Sequence, residues 1–211
     1  MGRLDGLVLA GLIHLLTAPR IVWHGRPPGR RPRVYFANHT SNADTVLIWA
    51  ALPPRLRRRT RPVAAADYWL KSAPRRFFGT AVFNTVLIQR DPEARGDVDP
   101  VATMAAALDE GASLILFPVG RRNESEAPLL AFKTGLYHLA AARPEIDLIP
   151  VWIDNLNGVM PRGEVIPVPL ICQIFFGRPI RLEQDEDRDA FLSRARGALL
   201  ALRPEIEDMA A

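Results

Sequence analysis

The chain is short of several residue types at once. Cys172 is its only cysteine in 211 residues, so no internal disulfide can form and stability must come from a packed core. That cysteine sits in an apolar run, 170–176, and reads as a small buried side chain rather than a catalytic thiol. A reducing, cytosol-facing compartment suits such cysteine usage. Lysine is almost missing: Lys71 and Lys133 are the two, and every other basic residue is arginine. The sequence carries no internal repeat, low-complexity tract, or dinucleotide or nucleotide-triphosphate loop, and no His/Cys/Asp/Glu group with metal-ligand spacing. A Gly-x-Ser-x-Gly elbow is also missing, so Ser41 beside His39 reads as a helix cap rather than a nucleophile.

Nor is there an apolar run long enough to span a bilayer. The longest covers residues 4–18. As a helix it would reach roughly 22 Å at 1.5 Å per residue, against a hydrocarbon core of about 30 Å. It holds Asp5 and His14, lacks a strongly basic start and a clear cleavage site, and so does not read as a signal peptide. Arg20, Arg26, Arg30, Arg31 and Arg33 follow it. The expectation is a helix lying in one leaflet with arginines at anionic headgroups, residues 1–26 forming this interfacial helix and its connector.

What is present is a globular composition, 48% hydrophobic and 24% charged, enough for one well-buried domain over residues 27–211. The net charge of +4 conceals an asymmetry: residues 1–100 carry 16 Lys+Arg against 7 Asp+Glu, and the remainder 11 against 16. Arginine's planar fork suits phosphate oxygens, so the basic half points to phosphates on lipid, nucleic acid or a small substrate. The basic run 55–61 has no interleaved aromatics and no nucleic-acid-binding motif beside it, which favours anionic lipid over nucleic acid as its partner.

Short apolar runs alternate with helical patterns. Strands are expected at 34–37, 62–66, 85–88, 113–117, 147–153 and 170–176. Helices are expected from Ser41 through 51, irregularly over 69–78, at 99–110 behind Asp99-Pro100, near 133–142 and near 188–202. His138, in an apolar helix, reads as a packed residue. This order predicts an α/β fold: a single layered domain with a largely parallel or mixed sheet flanked by helices, plus the N-terminal interfacial helix. The segments 38–44, Arg90 and 118–122 each follow a strand, where such sheets bind ligands.

In Asn38-His39-Thr40-Ser41-Asn42-Ala43-Asp44 a histidine sits at a strand-to-helix corner and a carboxylate in the first helical turn. The bend can return Asp44 to the imidazole, fixing its tautomer and making the other ring nitrogen a better base. Asp44 also suits a helix N-terminus as a simple favourable charge. With Leu87-Ile88-Gln89-Arg90, Phe117-Pro118-Val119-Gly120-Arg121-Arg122-Asn123, Phe132-Lys133 before Gly135, and Leu148-Ile149-Pro150-Val151-Trp152-Ile153, the chain resembles the glycerophospholipid acyltransferase family. That family's first motif is Asn-His with an Asp after four intervening residues, and the other three motifs recur here in order.

The resemblance implies an O-acyltransferase without a covalent enzyme intermediate. His39 would take the proton of an acceptor hydroxyl, Asp44 would orient His39, and the hydroxyl would attack an acyl thioester. Arg90, Gly120, Arg122 and Lys133 would bind substrate. The implied acceptor is a lysophospholipid, foremost lysophosphatidic acid giving phosphatidic acid. The donor would be acyl-CoA or acyl carrier protein, with no other cofactor and no metal. The implied location is peripheral or monotopic on the cytoplasmic face of a membrane. Where the third motif usually has Glu and Thr, this chain has Val119 and Arg121. Losing one substrate-orienting hydrogen bond to a charged group costs about 1.5–3 kcal/mol. That keeps two alternatives open: another lysolipid acceptor such as an aminolipid, or a weakly active lipid-binding homologue. Glu124 or Glu126 would be the replacement carboxylates.

Overall fold

Apolar side chains alternating in period two build one sheet with a core on each face. The computed structural model describes residues 19–25, 31–41, 43–89, 98–154 and 172–204, with single residues 11, 29 and 96. The strands are β1 Arg20–Trp23, β2 Arg33–Ala37, β3 Thr60–Ala65, β4 Val86–Ile88, β5 Ser113–Leu116, β6 Asp147–Asp154 and β7 Gln173–Phe176. They lie in the order β1-β7-β6-β2-β5-β3-β4. From β6 to β4 all pairs are parallel; β7 runs antiparallel to β6, and β1 parallel to β7.

The helices are α1 Asp44–Ala51, α2 Pro54–Arg57, α3 Ala66–Trp69, α4 Ala73–Phe77, α5 Pro100–Asp109, α6 Gly135–Ala142 and α7 Arg188–Leu200. A π-helical turn, Phe78–Val82, follows α4. On one face Tyr35 and Ala37 of β2 join Ile149, Val151 and Ile153 of β6 beneath Leu47 and Ile48 of α1. On the other face Val34 and Phe36 join Leu148 and Trp152, packed with Met104 of α5, Leu136 of α6 and Phe191 of α7. Helices on both faces of a mostly parallel sheet are the α/β architecture that the alternating pattern predicts. The expected start of α5 is present, with Asp99 accepting from the amides of Val101 and Ala102 and Pro100 in the first turn.

Several expectations change. Arg20–Trp23, placed in the connector by the sequence, is the edge strand β1, paired residue for residue with β7. Apart from Gly11, the expected interfacial helix lies outside the described residues. The irregular helix at 69–78 is two short helices and a π-turn, because Ser72 and Pro74 break the pattern. Ser41 is not the cap of α1: its hydroxyl accepts from Ala43 N at 3.2 Å, upstream of the first helical residue, Asp44. His138 is exposed rather than packed, its ring set edge-on to Tyr137.

Pro150 in a central strand needs a reason, since proline cannot donate to a ladder. Leu148 exchanges both backbone bonds with Ile180, and the Pro150 carbonyl accepts from Gly177 N at 2.9 Å. The side of Pro150 that lacks an N–H therefore faces Gly177, just past the end of β7 at Phe176. A Cβ at Gly177 would sit 2.7 Å from Pro150 Cγ and 3.1 Å from a Leu202 methyl. Gly177→Ala is expected to destabilise by about 1–3 kcal/mol. In a domain of this size that lowers Tm by about 2–12 °C, checked by thermal unfolding, and an unchanged Tm would contradict the close approach.

Candidate active site

β2 and β5 are parallel neighbours in register, Phe36 opposite Leu116, so the residues following each strand emerge side by side at the C-terminal edge of the sheet. His39 comes from the first and Phe117 to Arg122 from the second. His39 Nδ1 lies 2.7 Å from Asp44 Oδ2. The same oxygen accepts the backbone N–H groups of Thr40 at 2.7 Å and Ser41 at 3.0 Å. Asp44 is wholly buried, whereas the His39 side chain is 21% exposed. The five-position spacing works because the chain turns between strand and helix, and Asp44 ties that turn together.

Burial pushes the Asp44 carboxyl above the ordinary carboxylate range, opposed by hydrogen bonds from His39, Ser41 and Thr40. With Asp44 as acceptor, the ring proton resides on Nδ1. Nε2 is then the unprotonated nitrogen of a ring that lines the cleft. Phe117 stacks on the imidazole at a centroid distance of 4.2 Å and 21° between planes. The His39 carbonyl accepts from Asn123 N at 2.7 Å, which binds the loop after β5 to the loop after β2.

Asn38 anchors the histidine's backbone. Its side-chain amide donates to the Ile153 carbonyl at 2.9 Å and its oxygen accepts from Ile153 N at 2.8 Å. The amide thus continues the β2–β6 ladder beyond the strand's end. Asn38→Ala leaves two buried backbone groups unpaired, with an expected cost of about 2–4 kcal/mol. Urea denaturation measures it, and a loss below 1 kcal/mol would mean that water replaces the amide.

A cleft of about 730 Å³ opens at this edge. Its apolar wall includes Val63, Ile88 and Leu116, and its polar rim includes His39, Arg121, Arg122 and Glu124. Gly120 sits on the cleft at φ +72°, where its N–H closes a turn to the Phe117 carbonyl at 2.9 Å. A Cβ there would meet the flexible end of the Lys133 side chain at 3.0 Å, which can shift, so it is the backbone conformation that calls for glycine.

Of the six residues expected in the site, His39 and Asp44 are in direct contact, and Gly120 and Arg122 share the cleft with His39. Lys133 lies along Gly120 and is not among the cleft-lining residues. Arg90 lies outside the described residues, two positions beyond Ile88, which lines the cleft. Val119 is 4% exposed, belongs to the core cluster that holds Val63 and Val86, and is not among the cleft-lining residues. Of the two alternative carboxylates, Glu124 lines the cleft; Glu126 does not. Asn38, Phe117 and Arg121 complete the setting. Their roles depend on strand order, which the sequence does not display. Cys172 is fully buried, and burial together with Asp44 and Asp154 pushes its thiol up to about 12, far from a reactive thiolate. Among the described residues, no group of three or more His, Cys, Asp or Glu side chains is placed to hold a metal ion.

A mostly parallel α/β sheet with a His–Asp pair at its C-terminal edge, bound to a glycine turn from the adjacent strand, defines an acyltransferase-type site. Residues 20–154 match the acyltransferase family, and the chain belongs to it. It is 26% identical over 140 residues to a 1-acyl-sn-glycerol-3-phosphate acyltransferase of Chlamydomonas reinhardtii, covering 65% of this chain and 39% of that protein. It is 27% identical over 154 residues to the taffazin of Dictyostelium discoideum, covering 67% of this chain and 51% of that protein. The chain thus spans about two fifths to one half of the length of these relatives. The crystal structure of PlsC, the 1-acyl-sn-glycerophosphate acyltransferase of Thermotoga maritima, superposes with a TM-score of 0.73 at 18% identity, covering 98% of this chain and 79% of that one. That likeness supports the fold.

Proposed function

We propose that the chain is an O-acyltransferase that moves a fatty acyl group from a thioester to the hydroxyl of a lysophospholipid, foremost lysophosphatidic acid. The observation that carries this reading is the buried Asp44 bonded to a part-exposed His39 on a cleft with apolar walls and two arginines. His39 Nε2 takes the acceptor's hydroxyl proton as the oxygen attacks the thioester carbonyl. The tetrahedral intermediate then collapses, the carbon–sulfur bond breaks, and the imidazolium returns its proton to the departing thiolate. Arg122, with Arg90, would hold the acceptor phosphate, Lys133 would bind substrate beside Gly120, and Gly120 would let the loop backbone approach the reacting carbonyl. Acyl-CoA or an acylated carrier protein would be the donor. Residues 4–18 would seat the enzyme, peripheral or monotopic, on the cytoplasmic face of a membrane.

Incubation of the full chain with acyl-CoA and lysophosphatidic acid tests the reading, following free thiol and phosphatidic acid beside His39→Ala. Coupled release of both, lost in the variant, is expected. A folded protein inert with CoA and carrier-protein donors, across lysophospholipid and aminolipid acceptors, would overturn it.

A further inference from the structure

Four large apolar side chains are exposed among the described residues, and three of them, Leu70, Phe77 and Phe78, fall within one short segment. Phe77 is 57% exposed and its ring meets that of Phe78 edge-on at 5.7 Å. This display is held from beneath. Gly79 is buried so tightly against Trp69 that a Cβ would lie 2.9 Å from the ring, and its carbonyl accepts from Thr85 N at 2.8 Å. Trp69 packs in turn on Phe83 of the core and lines the catalytic cleft. The segment therefore presents an apolar outer surface from an anchored base at the cleft wall.

Its charge is one-sided. Lys71 and Arg76 are exposed beside the three apolar side chains, and no acidic residue occurs between Asp67 and Asp91. Phenylalanine and leucine interleaved with exposed cations suit an anionic bilayer interface, where rings enter the acyl boundary and cations meet headgroups.

We propose that residues 70–78 insert into anionic membrane and bring the mouth of the cleft to the lipid surface, a docking contact separate from residues 4–18. The proposal builds on the acyltransferase reading, since it places the cleft where a lysolipid acceptor resides. Its central measurement nevertheless needs no turnover.

Phe78→Cys and, as control, His138→Cys on the opposite face of the sheet are each labelled with an environment-sensitive dye in the full chain. The buried Cys172 does not compete for label. Each is mixed with vesicles of phosphatidylcholine and phosphatidylglycerol, with and without brominated acyl chains. A label at 78 quenched by bromine, with the label at 138 unaffected, is expected. A label at 78 that stays open to aqueous iodide on vesicle-bound protein would overturn the proposal. So would shielding at 78 without lipid that appears as a dimer in sedimentation. The double variant Phe77→Ser/Phe78→Ser should turn over lysolipid in vesicles more than tenfold more slowly, yet handle a soluble short-chain acceptor within twofold. Equal loss on both acceptors would also overturn it. If the unmodified chain shows no turnover on any acceptor, the acyltransferase reading fails while the quenching result still decides the docking contact.

Discussion

His39→Ala is expected to lower acyl transfer by about 10²–10⁴, the usual worth of a positioned general base. Phosphatidic acid formation and thiol release should fall together. The fold should survive, because the side chain is part-exposed and Asp44 keeps the amides of Thr40 and Ser41. The burial that already holds the Asp44 carboxyl high then acts with less opposition. A raised carboxyl contributes stability below the ordinary aspartate range and loses it as pH rises through the raised value. The variant should therefore lose stability, relative to the parent, as pH rises from acid toward neutral, and urea midpoints across that range would show it.

Asp44→Asn separates orientation from basicity. Two backbone N–H groups and one ring nitrogen converge on the single oxygen Oδ2. An asparagine oxygen at the Oδ2 place keeps all three partners but is a weaker acceptor for the ring, whereas the flipped amide sets its NH₂ against His39 Nδ1 and leaves the two backbone N–H groups without their acceptor. If the NH₂ faces the ring, the imidazole proton moves to Nε2, and that nitrogen becomes a donor instead of a base. Activity should then fall nearly as far as in His39→Ala with acceptor affinity little changed. A variant retaining more than a tenth of parent turnover would show that Asp44 acts chiefly in the turn.

The central strands were legible because each is a continuous apolar run, and β2, β5 and β6 appear within a residue or two of their expected limits. The His39/Asp44 contact was legible for a local reason: both ends lie in one strand–turn–helix unit. What the sequence hid depends on distant pairing. Arg20–Trp23 is four residues flanked by charge and proline, too short for a period to speak, and it becomes a strand only because β7 offers an edge. Asn38 bonds to Ile153 across 115 positions, and Phe117 reaches His39 through the β2–β5 register. Lys133 was placed in the site on its motif alone; its backbone N–H bonds to Pro118 and its side chain covers Gly120, so its contribution begins with shaping the turn.

Val119→Glu sets motif against packing. Restoring the family's glutamate predicts a gain in activity from an added acceptor for the substrate or a neighbouring arginine. Geometry predicts the reverse: position 119 faces the core formed by Val63, Val86 and Leu129. A carboxylate held there unpaired is expected to cost about 3–5 kcal/mol, a Tm lower by about 6–20 °C. Thermal unfolding with turnover decides between them. Lower stability and lower activity would mean that the loop is fixed by its core valine and that the cleft's carboxylate comes from Glu124, so Glu124→Gln should then impair acceptor binding in a fold of unchanged stability. Raised activity at unchanged Tm would mean that the turn from Phe117 to Gly120 rotates to bring position 119 onto the cleft, against the bond from Gly120 N to the Phe117 carbonyl that now closes it.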